Sequence, residues 1–150
     1  MLSNKEKSEL FFQILNYINE NNSEGITRAW EGIDIKDKVW VLTSKCSQSP
    51  GTLPFMAILR YQCIRALLTD IPDEEYITIL SCMEDRNTPL IEAIAWDIKP
   101  SIEAFLSNKN AYVIGQLLNQ CNYVGVSTRD LLISYNKNKD ENSQILSDIL

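Results

Sequence analysis

Histidine is missing from this 150-residue chain, and that absence removes more chemistry than any other feature of the composition. Without imidazole there is no Ser-His-Asp or Cys-His catalysis, no usual zinc hydrolase site and no imidazole acid–base work. Glycine is scarce: five scattered residues form neither G-x-x-x-x-G-K-[ST] nor G-x-G-x-x-G, so no loop is built to cradle a phosphate. The four cysteines contain no C-x-x-C pair, the main signature of zinc and thioredoxin-type chemistry. No apolar run reaches the roughly 18 residues of a bilayer span. The opening MLSNKEKSELFF carries charge where a signal peptide is apolar. These absences point to a soluble protein of the compartment where it is made, the cytoplasm, with signal-independent delivery into a host cell as a further route. No cofactor or metal is expected.

Hydrophobic residues make up 45% of the chain, enough for a packed single domain of this length. The net charge of −6 disfavours nonspecific nucleic-acid binding. Its distribution says more. Between positions 70 and 97 lie eight acids and one base, Arg86, a local charge of −7, so the rest of the chain sums to +1. The acidity belongs to the middle of the molecule.

Helix signals run from end to end. Ser3 and Glu6 form a capping box ahead of Leu10, Phe11, Ile14, Leu15 and Ile18 at helical spacing. Ile26, Trp30 and Ile33 mark a weaker helix, and Asp34 caps a third over about 35–46. After a loop at 47–51, Thr52 opens a long helix with Pro54 in its first turn and Phe55, Ile58, Leu59, Ile64, Leu67 and Leu68 on its apolar side. Asp73 caps the next helix, to about 83, with Glu74 and Glu75 favourably placed on its dipole. Thr88-Pro89 repeats the cap-plus-proline start; 101–106, 110–121 and a helix behind Ser127 follow. Residues 143–150 are expected to form a capping helix. No stretch alternates with period two. The expected class is all-α, one domain over 1–150 with about 8–9 helices: N-terminal helices over 1–46, then stacked helix pairs over 47–150.

The pairs are suggested by a recurring spacing. Cys46, Cys82 and Cys121 each precede a hydroxyl residue (Thr52, Thr88, Ser127) by six positions, and Ile58, Ile94 and Ile133 follow those hydroxyls by six. The copies are 36 and 39 residues apart, a range typical of helical repeats. Equivalent positions in such a stack are separated by about 8–10 Å, farther than a disulfide reaches, so the thiols are expected free and buried.

Asn87-Thr-Pro-Leu-Ile-Glu-Ala-Ile94 resembles the T-P-L-x-x-A core of the ankyrin repeat. Gly51-Thr-Leu-Pro-Phe-Met-Ala-Ile58 looks like a blurred copy, and Gly125-Val-Ser-Thr-Arg-Asp-Leu-Leu132 is similar to the form seen in late repeats. The resemblance implies that Thr52, Thr88 and Ser127 start inner helices and that Ala57 and Ala93 let paired helices approach. The chain departs from the family's period of about 33 and lacks its histidine. Eight residues between Leu118 and Ser127 leave no room for a protruding β-finger. A degenerate ankyrin-like array without fingers and a HEAT-like stack both fit, and both imply an interaction scaffold.

Two groups are candidate partner-binding residues. Arg60, Trp96 and Tyr135 each lie eight past a repeat hydroxyl and are of the types enriched at binding hot spots; packing between repeats is their plainer role. Asp73, Glu74, Glu75, Glu84 and Asp85 form an acidic flank suited to a basic partner, or simply a solvated helix start. The one carboxylate pair, Glu92 and Asp97, is turned about 140° apart on a helix, poorly placed for paired catalysis. No catalytic residue is assigned. The expectation is a non-catalytic protein-binding module. The Asn-, Ile- and Lys-rich composition fits a host-associated bacterium, and a small effector engaging a host protein competes with an acidic accessory or immunity-type protein that binds and masks a bacterial partner or toxin. A carboxylate hydrolase ranks third.

Overall fold

The computed structural model describes residues 1–45, 51–84 and 86–150. Among these residues the chain forms ten α-helices and one short 3-10 turn, with no strand. Two isolated antiparallel bridges, Glu84 to Asn87 and Cys121 to Ser127, close short loops. Among the described residues no helix is long and apolar enough to cross a membrane. The fold is all-α, as expected, and its helices group in threes. The first triplet is α1 (Asn4–Asn19), α2 (Ser23–Ala29) and α3 (Ile35–Thr43). The second is α4 (Leu53–Met56), α5 (Tyr61–Leu67) and α6 (Asp73–Leu80). The third is α7 (Pro89–Ala95), α8 (Lys99–Leu106) and α9 (Ala111–Leu118). A last helix, α10 (Thr128–Lys137), and the 3-10 turn Glu141–Ser143 complete the chain.

Equivalent helices stack in three columns. In one, α1 packs on α4, α4 on α7 and α7 on α10; in the second, α2 lies on α5 and α5 on α8; in the third, α3 lies on α6 and α6 on α9. The second and third columns keep a strict 38-residue register. Ile26, Ile64 and Ile102 are all fully buried, as are Val41, Ile79 and Leu117. Each such side chain contributes roughly 1.5–3 kcal/mol of burial. The turn after the second helix of each triplet carries a left-handed residue in the same register: Gly32 (φ 73°), Asp70 (φ 58°), Asn108 (φ 59°) and then Leu146 (φ 53°). Glycine, aspartate and asparagine tolerate that conformation. Leu146 carries the turn register past α10 into the C-terminal tail, which lies beside α8, where Lys99 Nζ donates to the Asn142 carbonyl at 2.9 Å.

Polar side chains staple one triplet to the next. Trp30 Nε1 donates to the Leu67 carbonyl at 3.1 Å, the Tyr76 hydroxyl to the Phe105 carbonyl at 2.6 Å, and Ser101 Oγ to the Ile58 carbonyl. All three reach the end or flank of a neighbouring helix, where carbonyls lack partners within their own helix.

Several expectations are corrected. The long helix behind Thr52 is two helices with a break at 57–60, and Leu59 there is exposed rather than apolar core. Pro72, not Asp73, is the cap residue of α6, and α3 stops at Thr43. The capping helix over 143–150 is a 3-10 turn followed by non-helical chain. Thr88 and Ser127 do cap, accepting from the Ile91 and Asp130 amides at 3.2 and 3.1 Å. Thr52 does not: its hydroxyl is buried without a hydrogen-bond partner among the described residues. Of the thiols, Cys63 is free and buried as expected, Cys82 is half-buried and Cys121 is exposed; Cys46 lies outside the described residues. Ile133, expected in the inter-repeat core, faces solvent.

Candidate partner-binding surface

Helix α7 begins at Thr88 with Pro89 preorganised in its first turn, and it ends on Trp96, whose amide still bonds back to the Glu92 carbonyl at 3.0 Å. The indole therefore leaves the helix at its last turn and stays 65% exposed. It is nevertheless held. Trp96 Nε1 donates to Glu92 Oε1 at 2.6 Å, and the other oxygen of Glu92 accepts from Asn87 Nδ2 at 2.6 Å. An aromatic ring that is both exposed and fixed loses little further side-chain freedom when a partner covers it.

The next residue, Asp97, turns the chain left-handed (φ 57°) and accepts from Lys139 Nζ at 3.0 Å on each carboxylate oxygen. The Tyr135 hydroxyl acts on the same carboxylate electrostatically, and the Lys139 ammonium lies 4.7 Å from the Tyr135 ring centroid. These contacts hold Asp97 below the ordinary carboxylate value, the Lys139 hydrogen bond first and Tyr135 second. The Tyr135 phenol is pushed up to about 12, chiefly by burial and then by Asp97. Helices α7 and α10 thus bring Trp96 and Tyr135 to one edge, linked through Asp97.

Arg60 does not join them in register. It is the cap residue of α5, the place that Ile98 takes in α8. The spacing of eight failed here because α4 is shorter than α7 while the helices behind them keep their 38-residue register. A residue that sequence reasoning assigned to the core, Leu59, is 72% exposed in the same turn as Arg60. Its place, just ahead of a second-column helix, is the one that Asp97 takes beside Trp96. A second missed feature is the loop closed by Cys121 and Ser127. Tyr123 and Val124 are exposed at its tip, the Tyr123 amide donates to the Arg86 carbonyl at 3.0 Å, and the Arg86 guanidinium lies 5.2 Å from the Tyr123 ring centroid.

The acidic flank is knitted into the fold. Asp73 accepts from Asn110 Nδ2 at 2.8 Å and Glu74 from the Tyr112 hydroxyl at 2.7 Å, so α6 and α9 are tied at their N-terminal ends. Glu84 pairs with Lys45 at 3.2 Å. Glu75 is half-buried beside Ile35 and Val39 of α3. Asp85 lies outside the described residues. Asp73 and Glu74 keep solvent exposure, while Glu84 is already neutralised. Glu92 and Asp97, the carboxylates weighed as a reactive pair, are each engaged by their own donors. Among the described residues no group of three or more Cys, Asp or Glu side chains could hold a metal ion.

No family model, curated protein or solved structure matches this chain.

Proposed function

We propose that this protein is a non-catalytic protein-binding module that engages its partner along the edge carrying Trp96 and Tyr135. The observation behind this reading is the Trp96 indole, exposed yet pinned by Glu92. Tryptophan and tyrosine dominate binding energy where a partner excludes water from them. Leu59 extends the apolar edge towards α5, and Asp73 and Glu74 add negative potential elsewhere on the stack, suited to a partner with a basic surface. Engagement of a host protein by a delivered effector and masking of a bacterial protein by an acidic accessory use the same surface.

Affinity capture tests the proposal, with wild type and a Trp96→Ala, Tyr135→Ala double variant run in parallel on a lysate of the source cell and of a candidate host. A stoichiometric protein lost with the variant supports the module and the edge, and the lysate that yields it separates masking from host engagement. Equal recovery by both proteins removes the edge from the interface.

A further inference from the structure

Three open grooves lie where successive triplets meet, at the turns that follow α2, α5 and α8. The first, about 210 Å³, lies between Trp30, Glu31 and Lys38 on one side and Ala66 and Asp70 on the other. The second, about 530 Å³, lies between Arg65 and Tyr76 on one side and Ala104, Asn108 and Lys109 on the other. The third, about 340 Å³, is lined by Glu103 and Leu106 facing Ile145 and Leu146 of the tail. The positions correspond in the 38-residue register: Trp30 with Leu68 and Leu106, Ala66 with Ala104, Asp70 with Asn108 and Leu146. Neighbouring grooves share walls, Thr69 and Asp70 between the first and second and Ser107 between the second and third. The three grooves follow one another along the stack as a segmented channel.

The channel changes chemistry along its length. Glu31 and Asp70 outweigh Lys38 in the first groove. Arg65 and Lys109 outweigh Asp70 in the second, and neither cation has an ion-pair partner among the described residues: Arg65 lies 5.5 Å from the Tyr61 ring centroid and Lys109 3.8 Å from that of Tyr76. In the third groove Lys99 and Glu103 pair with each other at 3.7 Å, leaving Leu106, Ile145 and Leu146 as its character. Burial already pushes the Lys109 ammonium below its ordinary value, so an arriving anion meets a cation that has lost part of its water.

We propose that this channel binds an extended polypeptide segment carrying a basic, an acidic and an apolar side chain at every third position, one for each groove. One stacking step of about 8–10 Å matches one turn of an extended polyproline II segment, three residues at about 3.1 Å each, which returns every third side chain to the same face. The inference rests on the binding-module reading but uses a different face. Trp96 lies three residues before α8 and Lys109 three residues after it, so about 12 Å of helix separates the Trp96 edge from the second groove.

The test is fluorescence anisotropy with the labelled peptide Ala-Lys-Ser-Ala-Glu-Ser-Ala-Leu-Ala and its reversed sequence, since either chain direction satisfies the spacing. Saturable binding is expected for one of them, weakened about tenfold or more when the peptide Glu becomes Lys. The Arg65→Glu, Lys109→Glu protein is expected to invert that preference. Trp96→Ala is expected to leave the peptide affinity unchanged, which separates this channel from the Trp96 edge. Absence of saturable binding by both peptides, equal affinity for the Glu and Lys forms, or displacement by free glutamate at the peptide's own concentration each overturns the proposal. Unchanged thermal melting of the charge-reversed protein controls for folding.

Discussion

Asn136 holds the backbone of Ile145 at two points: its Nδ2 donates to the Ile145 carbonyl at 2.7 Å, and the Ile145 amide donates to its Oδ1 at 2.8 Å. Both residues are buried. This clamp fastens the C-terminal tail, in which Leu146 keeps the left-handed turn register, against α10. Asn136→Ala leaves a buried amide and a buried carbonyl without partners, at a cost of about 2–3 kcal/mol. Hydrogen exchange resolved by segment checks it: residues 144–150 should lose protection first, with α1 to α6 unchanged.

The 38-residue register distinguishes two isoleucines that the sequence spacing treats alike. Ile94 is 7% exposed and Ile133 45%. Ile94→Asp puts a charge into the packing between triplets and is expected to prevent folding. Ile133→Asp is expected to shift stability by no more than about 0.5 kcal/mol. Thermal melting of the two variants side by side is the measurement; comparable losses would place Ile133 in the core.

Asp97 links Trp96 to Tyr135, and its effect has a defined pH window. Its folded value lies below its ordinary 3.8, so the pairing stabilises the fold above that pH and is lost as pH falls through the folded value. Asp97→Asn should therefore lower the melting temperature at neutral pH, and the gap to wild type should close in strong acid. Tyr135 behaves in the opposite sense. Its folded value of about 12 exceeds the ordinary 10, so stability present below pH 10 fades as pH rises through about 12. An ultraviolet titration should find Tyr135 among the late-ionising tyrosines, with Tyr76 and Tyr112, and only its midpoint should fall in Asp97→Asn.

Thiol reactivity should follow exposure. Burial raises the Cys63 thiol, opposed by the Arg60 charge, and burial raises Cys82, opposed by Lys45; Cys121 is exposed. Among the described thiols, native alkylation should label Cys121 first and Cys63 last, by about tenfold or more in rate. Denaturation without reductant should make all four cysteines alkylatable. Two fewer would reveal a disulfide that the described thiols do not form.

Much of the architecture was legible because it rests on local chemistry. Ser3, Thr88, Asn110 and Ser127 are side-chain caps that sequence alone suggests or nearly suggests, and each accepts from the amide three residues on. The break between α4 and α5 was not legible, because Ile58 and Leu59 continue a helical apolar pattern across residues that do not continue the helix. Loop lengths vary, so the loop hydroxyls recur at 36 and 39 residues. The constant spacing sits in Ile26, Ile64 and Ile102 and in the left-handed Gly32, Asp70 and Asn108. Each of those turn residues is of a type that tolerates positive φ, so the signal was present without any identity to reveal it. At the candidate surface, Trp96 was found through residue type. Arg60 was misaligned by the shortness of α4, and the pairing of Asp73, Glu74 and Glu84 with other elements needed three dimensions.

The most direct measurement is photo-crosslinking with benzoylphenylalanine in place of Trp96, in the lysate that yields a partner, against the same residue in place of Gln116 on α9. A binding module that uses the α7 edge predicts one discrete adduct from position 96 and none from position 116, with unmodified protein competing it away. Equal adducts from both positions, or a discrete adduct from 116 alone, would contradict the assignment of Trp96 to the contact surface.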